Sequence, residues 1–433
     1  MRIVYLINKQ FYLNKLCRAR FIAIEHFCKK FDHELIYTGY GWDNYNDNTF
    51  INENLRELEP IDYLFCYKQL LYNGIQNVKY PKIVQYNEMY DIVNTENEIK
   101  KSKTDIIICH HQNDLDKYSL NNMFHIPHCS DETIFYQDNN IPKKIDILLL
   151  GAISSAYPLR IRLSNIISKL NQMGWKCLIH KHPGYDCNEA HTNKYLKNMA
   201  HIIRSSRICM TCSSKYKYRL TKFIEIPMCG TAIASDIPNE DIDNFCKFVI
   251  EIDLCMSDED IIQKLDYYLK NKIDYDQKIE AGLEWSKGYT LDKYANILQK
   301  KLYKPKIYIH KNEGFNWICD RLISEWKENY PNVVNNPNDC DIIWLMTPWL
   351  WKTMDKQLLL NKKVITSIHH IYEPKFLINN CDDIKEIDQF TDIYHIFDEY
   401  TQTKLSSLTK KQIIYKPYWC NDKLWRVLDK DKI

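Results

Sequence analysis

Short apolar runs alternate with amphipathic stretches along almost the whole chain. Residues 2–7 form an apolar run that predicts a buried strand. The stretch 17–31 then carries Phe21, Ile24, Phe27, Cys28 and Phe31 at helical spacing. Further strands are predicted at 33–37, 61–67, 82–86 and 105–109. Strands alternating with helices imply parallel sheets covered on both faces, an α/β class.

A polar stretch at 138–144, containing Pro142, interrupts this pattern and reads as a linker. The pattern restarts at the apolar run 145–150, which leads into Gly151. Strands are predicted at 176–179, 208–211, 231–235 and 248–252. Helices are predicted at 222–228 and 258–269, and a last one at 291–302 closes this segment. Lys304-Pro305 marks the next boundary. A third α/β segment has strands at 306–309, 341–346, 363–367, 392–397 and 412–415. The expected domains are 1–140, 141–303 and 304–433.

The third segment looks like the first repeated. Asp62 matches Asp341, and Met89-Tyr90-Asp91 matches Ile371-Tyr372-Glu373. Thr104-Asp105-Ile106 matches Thr391-Asp392-Ile393. Pro127 precedes Phe135 by eight residues, as Pro417 precedes Trp425. The offsets are 279, 282, 287 and 290, drifting one way as small insertions would make them. An internal duplication is the expectation.

Composition narrows the class. The 433 residues suit about three domains. Lys and Arg (58) nearly cancel Asp and Glu (56), which excludes a general polyanion-coating role but not a local basic cleft. No apolar run approaches the about 20 residues of a membrane span. Sixteen cysteines without regular spacing or a secretory signal read as reduced thiols in the cytoplasm. Cys209 and Cys212 are one lone pair, too few for structural zinc. With only 10 glycines, Gly-rich phosphate loops must be few.

The most informative segment runs from Tyr218 to Asp236. A basic loop with Arg219 and Lys222 opens a helix carrying Glu225, then Gly230 ends the helix before a buried strand. A helix N-terminus beside two cations is an anion site. A Glu one turn in can accept hydrogen bonds from a ribose diol. A cis-diol plus a diphosphate describes a sugar nucleotide.

This segment resembles the donor-binding motif of group 1 glycosyltransferases, in the spore-maturation-protein-like branch. Ile145 to Ser154, followed by Tyr157-Pro158-Leu159-Arg160, resembles the first strand and loop of the donor domain. Gly282 with Tyr289-Thr290 and the last helix resembles the closing segment. His125 to Phe135 resembles the crossing between the domains. The resemblance implies a GT-B type fold: two Rossmann-like domains facing across a cleft, here with a third Rossmann-like domain. The second domain would hold the nucleotide and the first the acceptor. Glu225 would bind the ribose, and Lys222 and Arg219 would lie near the diphosphate. Gly151 to Ser154 would lie under the phosphates, with Arg160 a further phosphate contact. Retaining members carry a first Glu eight residues before the ribose Glu; here that position is Lys217. Retaining and inverting outcomes both stay open. Lys217 adds local positive charge, so no metal and no cofactor beyond the donor are expected.

His182 follows a predicted strand, where a phosphate or sugar hydroxyl would sit, although a plain turn histidine fits equally. On the acceptor side the family often places a His after the fourth strand. The first segment has none there, but Glu88 and Asp91 can act as a general base or orient the acceptor. His110 and His111, after the fifth strand, are further candidates. The third segment has His369-His370 at the corresponding place. Trp344 suits a core; Trp349 and Trp351 suit stacking or a partner contact.

The expected function is therefore transfer from a nucleotide sugar to a glycan, protein or lipid hydroxyl, with no nucleic acid involved. The alternative is a non-catalytic sugar-nucleotide or glycan-binding module, with the third domain a scaffold or oligomerisation domain. Because the architecture works in pairs, the third segment points to a donor-type domain beyond residue 433 or to a half without one.

Overall fold

The computed structural model describes residues 1–14, 19–118, 120–184, 189–311, 317–330, 332–371 and 381–417. The chain divides into two compact units, Met1–Lys301 and Leu302–Ile433.

The first unit holds two sheets. One comprises β1 (Arg2–Leu6), β2 (Glu34–Thr38), β3 (Tyr63–Cys66), β4 (Lys82–Tyr86), β5 (Ile106–Cys109) and β6 (Met123–His125), in the order β2-β1-β3-β4-β5-β6. The other comprises β7 (Ile145–Leu149), β8 (Cys177–Ile179), β9 (Ser206–Met210), β10 (Ala232–Ser235) and β11 (Val249–Glu251), in the order β11-β10-β9-β7-β8. Every pairing is parallel, as between β1 and β3 and between β7 and β9. All four residues of β3 and of β10 are buried, because helices cover both faces. The helix Ala19–Lys30 buries Phe21, Ile24 and Phe27, each contributing about 1.5–3 kcal/mol.

The helix Leu291–Leu302, expected to close the second segment, lies against the first. His26 Nε2 sits 2.7 Å from Asp292 Oδ1, and His33 Nε2 sits 2.9 Å from Gln299 Oε1. Gln85 Nε2 donates to the Tyr294 hydroxyl. The chain thus returns to the first sheet after building the second. Sequence periodicity shows that this helix is amphipathic but not which sheet it covers.

The second unit holds β12 (Ile307–His310), β13 (Val333–Val334), β14 (Ile342–Leu345), β15 (Lys363–Ile368), β16 (Ile393–Ile396) and β17 (Gln412–Tyr415). Their order, β13-β12-β14-β15-β16-β17, is that of the first sheet. The registers correspond as well. Leu64 pairs with Lys82, and Ile343 with Val364, displacements of 279 and 282 residues. Ile83 pairs with Ile106, and Ile365 with Ile393, displacements of 282 and 287. Ile107 pairs with Met123, and Tyr394 with Ile413, displacements of 287 and 290. These are the offsets of the sequence matches.

The matched aspartates have a physical task. Oδ2 of Asp62, Asp105, Asp341 and Asp392 accepts the N–H of Arg2, Lys82, Lys306 and Val364, at 2.7, 2.8, 2.6 and 2.8 Å. Each lengthens a ladder by one bond where a strand start would leave an amide unpaired. Asp146 does the same for Lys176 at 2.9 Å in the second sheet. The aspartates therefore mark parallel strand starts in general, and the shared register is the more specific likeness. Tyr372, Glu373 and Trp425 lie outside the described residues. Trp344 is buried and donates to Ser367 Oγ at 2.8 Å. Trp351, expected to serve stacking or a partner, is buried against Phe390, while Trp349 is exposed.

Candidate active site

The carboxyl ends of the two sheets in the first unit meet at a cavity of about 390 Å³. Ligands of parallel α/β sheets sit at such ends. Asn87 and Glu88, after β4, and His128 to Asp131, after β6, form one wall. Gly151, Arg160, His182, Lys222 and Glu225 form the other.

Gly151 follows β7 with φ +109°, and a Cβ there would stand 2.5 Å from Arg160 Nη1. Only glycine lets this loop pass so close to the guanidinium. Arg160 is itself buried. Its Nη2 donates to Thr211 Oγ1 at 2.9 Å, its Nη1 to Ala152 O at 3.2 Å, and its charge lies 4.2 Å above the Tyr157 ring. Among the described residues its Nε has no hydrogen-bond partner.

The helix Lys222–Met228 brings Lys222 and Glu225 into the wall, where they form an ion pair. The first-turn amides are less available than the sequence implies. The N–H groups of Ile224 and Glu225 both reach Thr221 O at 2.9 Å, and that of Phe223 reaches Leu220 O at 3.0 Å. Side-chain cations therefore carry the charge of this wall. Burial, then Lys222, Arg160 and His180, push His182 down to about 4, so it is neutral at pH 7. Gly184 N–H donates to its Nδ1 at 3.1 Å, which leaves the neutral ring's proton on Nε2.

Other expected residues lie elsewhere. Ser154 is exposed, outside the wall, and its carbonyl accepts the Tyr157 N–H at 2.8 Å. Arg219 is 2 % exposed, also outside the wall, with Nε 3.6 Å from Glu240 Oε1 and its charge 4.7 Å over the Tyr289 ring. Lys217 has φ +58° and places Nζ 2.8 Å from Asp236 Oδ2, so its charge is compensated rather than added to the site.

Of the acceptor-side candidates, the cavity receives Glu88 alone. Burial raises its carboxyl, the Asp114 charge raises it further, and His111 opposes them. Asp91 is exposed and caps the helix Ile92–Ser102, accepting the Asn94 N–H at 3.1 Å. His110 donates from Nδ1 to Ile126 O at 2.8 Å and stacks on His128. His111 is fully buried with Nδ1 3.0 Å from Glu240 Oε1. His110 and His111 thus hold structure behind the wall, and His128 is the histidine that reaches it.

Glu240 was not evident from the sequence. Burial raises it, but the His111 hydrogen bond, Arg219 and the Gln112 amide outweigh that and hold it at about 2. Its carboxylate joins the two sheets' loops. The sequence assigns no role to Asp114, Tyr218 or Asp236; Asp236 directly follows β10, whereas Asp114 lies in the helix Gln112–Lys117 and Tyr218 in the loop before the helix Lys222–Met228. Cys209 and Cys212 are buried thiols that burial pushes up. Among the described residues, no group of three His, Cys, Asp or Glu is placed to hold a metal ion. No helix among them is long and apolar enough to cross a membrane.

Residues 160–299 match a family model described as glycosyl transferase-like. The chain contains a glycosyl transferase-like domain. The matched span of that domain includes His182, Arg219, Lys222 and Glu225 and begins after Gly151 and Ser154. Solved structures that share the fold include the following two. Sucrose-phosphate synthase from Thermosynechococcus elongatus is 9% identical with a TM-score of 0.51, covering 70% of this chain and 98% of its own. Anabaena HepE in complex with UDP and glucose is 7% identical with a TM-score of 0.51, covering 70% and 99%. The glycosyl transferase-like domain thus sits within a GT-B fold of Rossmann-like sheets. No curated protein matches the chain.

Proposed function

We propose that the cleft of the unit Met1–Lys301 moves a glycosyl group from a nucleotide-diphosphate sugar to an acceptor hydroxyl. The two-sided cavity carries this reading: Arg160, His182, Lys222 and Glu225 on one wall, and the burial-perturbed Glu88 on the other. Glu225 accepts hydrogen bonds from the ribose diol. Lys222 leaves Glu225 and, with Arg160, meets the diphosphate, while His182 donates its Nε2–H. Glu88 takes the proton of the acceptor hydroxyl as that oxygen bonds to the anomeric carbon. The bond to the diphosphate breaks, its electron pair leaving with the diphosphate. The two cations offset that charge, so neither a metal nor a further cofactor is needed. The acceptor is a glycan, protein or lipid hydroxyl. Lys222, Glu225 and Gly230 keep the core spacing of the spore-maturation-protein-like branch.

A thermal-shift screen with UDP-glucose, GDP-mannose and dTDP-glucose tests the donor assignment. One of them is expected to stabilise the protein, by about 2.7 kcal/mol at a hundred times its Kd. No shift with any of the three counts against the assignment. Binding without turnover would support the non-catalytic module instead, which the departure at Lys217 favours.

In our reading the second unit is an acceptor-type half of another glycosyltransferase, supported by its strand order and register. A chain ending at Lys301 is then expected to keep the full thermal shift. Loss of the shift would mean that the second unit completes the donor site.

A further inference from the structure

Asp114 has no exposed surface and stands behind the cavity wall rather than in it. A buried carboxylate is costly unless its oxygens are partnered. Here the two oxygens serve different parts of the molecule. Oδ2 accepts the Met89 N–H at 3.0 Å, next to Glu88. Oδ1 accepts the Tyr218 hydroxyl at 2.7 Å, four residues before Lys222. Lys117 Nζ stands 3.6 Å from Oδ1.

Both attachments are firm. Tyr218 is 1 % exposed, and burial followed by the Asp114 carboxylate pushes its phenol up, so it keeps its proton and donates. Met89 is also held from its other side, where its carbonyl accepts the Tyr118 hydroxyl at 2.8 Å. One carboxylate therefore joins the loop that carries the acceptor-side base to the loop that opens the donor helix. We propose that Asp114 and Tyr218 are positioning residues that register Glu88 against Lys222 and Glu225 across the cleft. This inference rests on the reading of the cleft as a transfer site.

Two consequences separate the role from simple packing. A displacement of about 1 Å between reacting groups can cost about a hundredfold in rate while binding survives. Asp114 also acts on Glu88 through its charge, with His111 opposing it. The remaining charged groups of the cavity wall are Asp131, Arg160, Lys222 and Glu225.

The test uses full-length Tyr218→Phe and Asp114→Asn. The probe is whichever of UDP-glucose, GDP-mannose and dTDP-glucose stabilises the wild type most. Donor hydrolysis reports kcat without an identified acceptor, and calorimetry reports Kd. Tyr218→Phe is expected to lower kcat about tenfold or more, with Kd changed less than about twofold. Asp114→Asn is expected to move the acid limb of kcat to lower pH, because a charge that raises Glu88 is gone. If Asp114→Asn does not fold, Tyr218→Phe decides. Unchanged kcat in Tyr218→Phe overturns the proposal, as does an unmoved acid limb in a folded Asp114→Asn. A wild type that binds the donor but turns nothing over removes the transfer reading itself, and this inference with it. In each case the donor reading survives. A wild type that binds none of the three probes removes that reading, and this inference with it.

Discussion

Glu225→Ala is expected to weaken sugar-nucleotide binding by a hundredfold or more while leaving the fold intact. Glu225 is 7 % exposed, lies in the cavity wall and pairs with Lys222. Two hydrogen bonds from a ribose diol to a carboxylate are worth about 1.5–3 kcal/mol each, so losing both costs about 3 kcal/mol or more. That corresponds to at least about two decades in Kd. Lys222 would keep its charge without its present partner and could still meet the diphosphate, so residual binding through the phosphates should remain. Calorimetry with the stabilising nucleotide sugar measures the loss, and circular-dichroism melting checks the fold. Wild-type affinity in a folded variant would remove Glu225 from the ribose site.

Glu88→Gln should do the opposite, sparing binding and reducing turnover. A general base contributes about 10²–10⁴ in rate, so kcat should fall by that order with the donor Kd nearly unchanged. The wild-type profile supplies the second readout. The base works as a carboxylate, so kcat should decline as pH falls through the Glu88 pKa. That pKa lies above the ordinary 4.5, because burial and Asp114 outweigh His111. Glu88→Gln should lack this acid limb. Stability runs the other way. A carboxyl raised on folding binds its proton more tightly in the native state, so its favourable contribution is present below pH 4.5 and fades as pH rises through the native value. Glu88→Gln should therefore melt slightly higher than wild type at pH 8. A variant with wild-type kcat and an intact acid limb would assign the proton transfer to another group.

Most of the strand pattern was legible because a strand buried on both faces has to be a continuous apolar run. The predicted runs at 61–67 and 231–235 contain β3 and β10, whose residues are all buried, and those at 82–86 and 412–415 coincide with β4 and the edge strand β17. The predicted helix at 222–228 coincides with the helix Lys222–Met228. The short strands β6 and β13 escaped, since three or two residues make no periodic signal. The site was legible where one local segment supplies it. Lys222 and Glu225 sit one turn apart on a single helix, so spacing alone brought them together. Arg219, three residues earlier and expected near the diphosphate, sits beside Glu240. A loop residue's direction depends on the partner it finds, and Glu240 is 21 residues further along the chain. Asp91 and His111 show the same dependence on partners. One is occupied by the helix it caps, the other by a carboxylate from the second sheet.

Three α/β segments, their parallel sheets, the likeness of the third segment to the first, and the charged helix that lines the cavity are all legible in the sequence. These follow from periodicity and short spacing, which are local properties of the chain. The tertiary structure alone decided which charges are free to meet a ligand and which are spent. It paired Lys217 with Asp236, placed Arg219 beside Glu240, and put Glu88 into the cavity with its carboxyl raised. It also returned the helix Leu291–Leu302 to the first sheet and tied two distant loops to Asp114. The reason is range: a charge is set by neighbours within a few ångströms, and Asp236, Glu240 and Asp292 stand 19, 21 and 266 residues along the chain from the Lys217, Arg219 and His26 they meet.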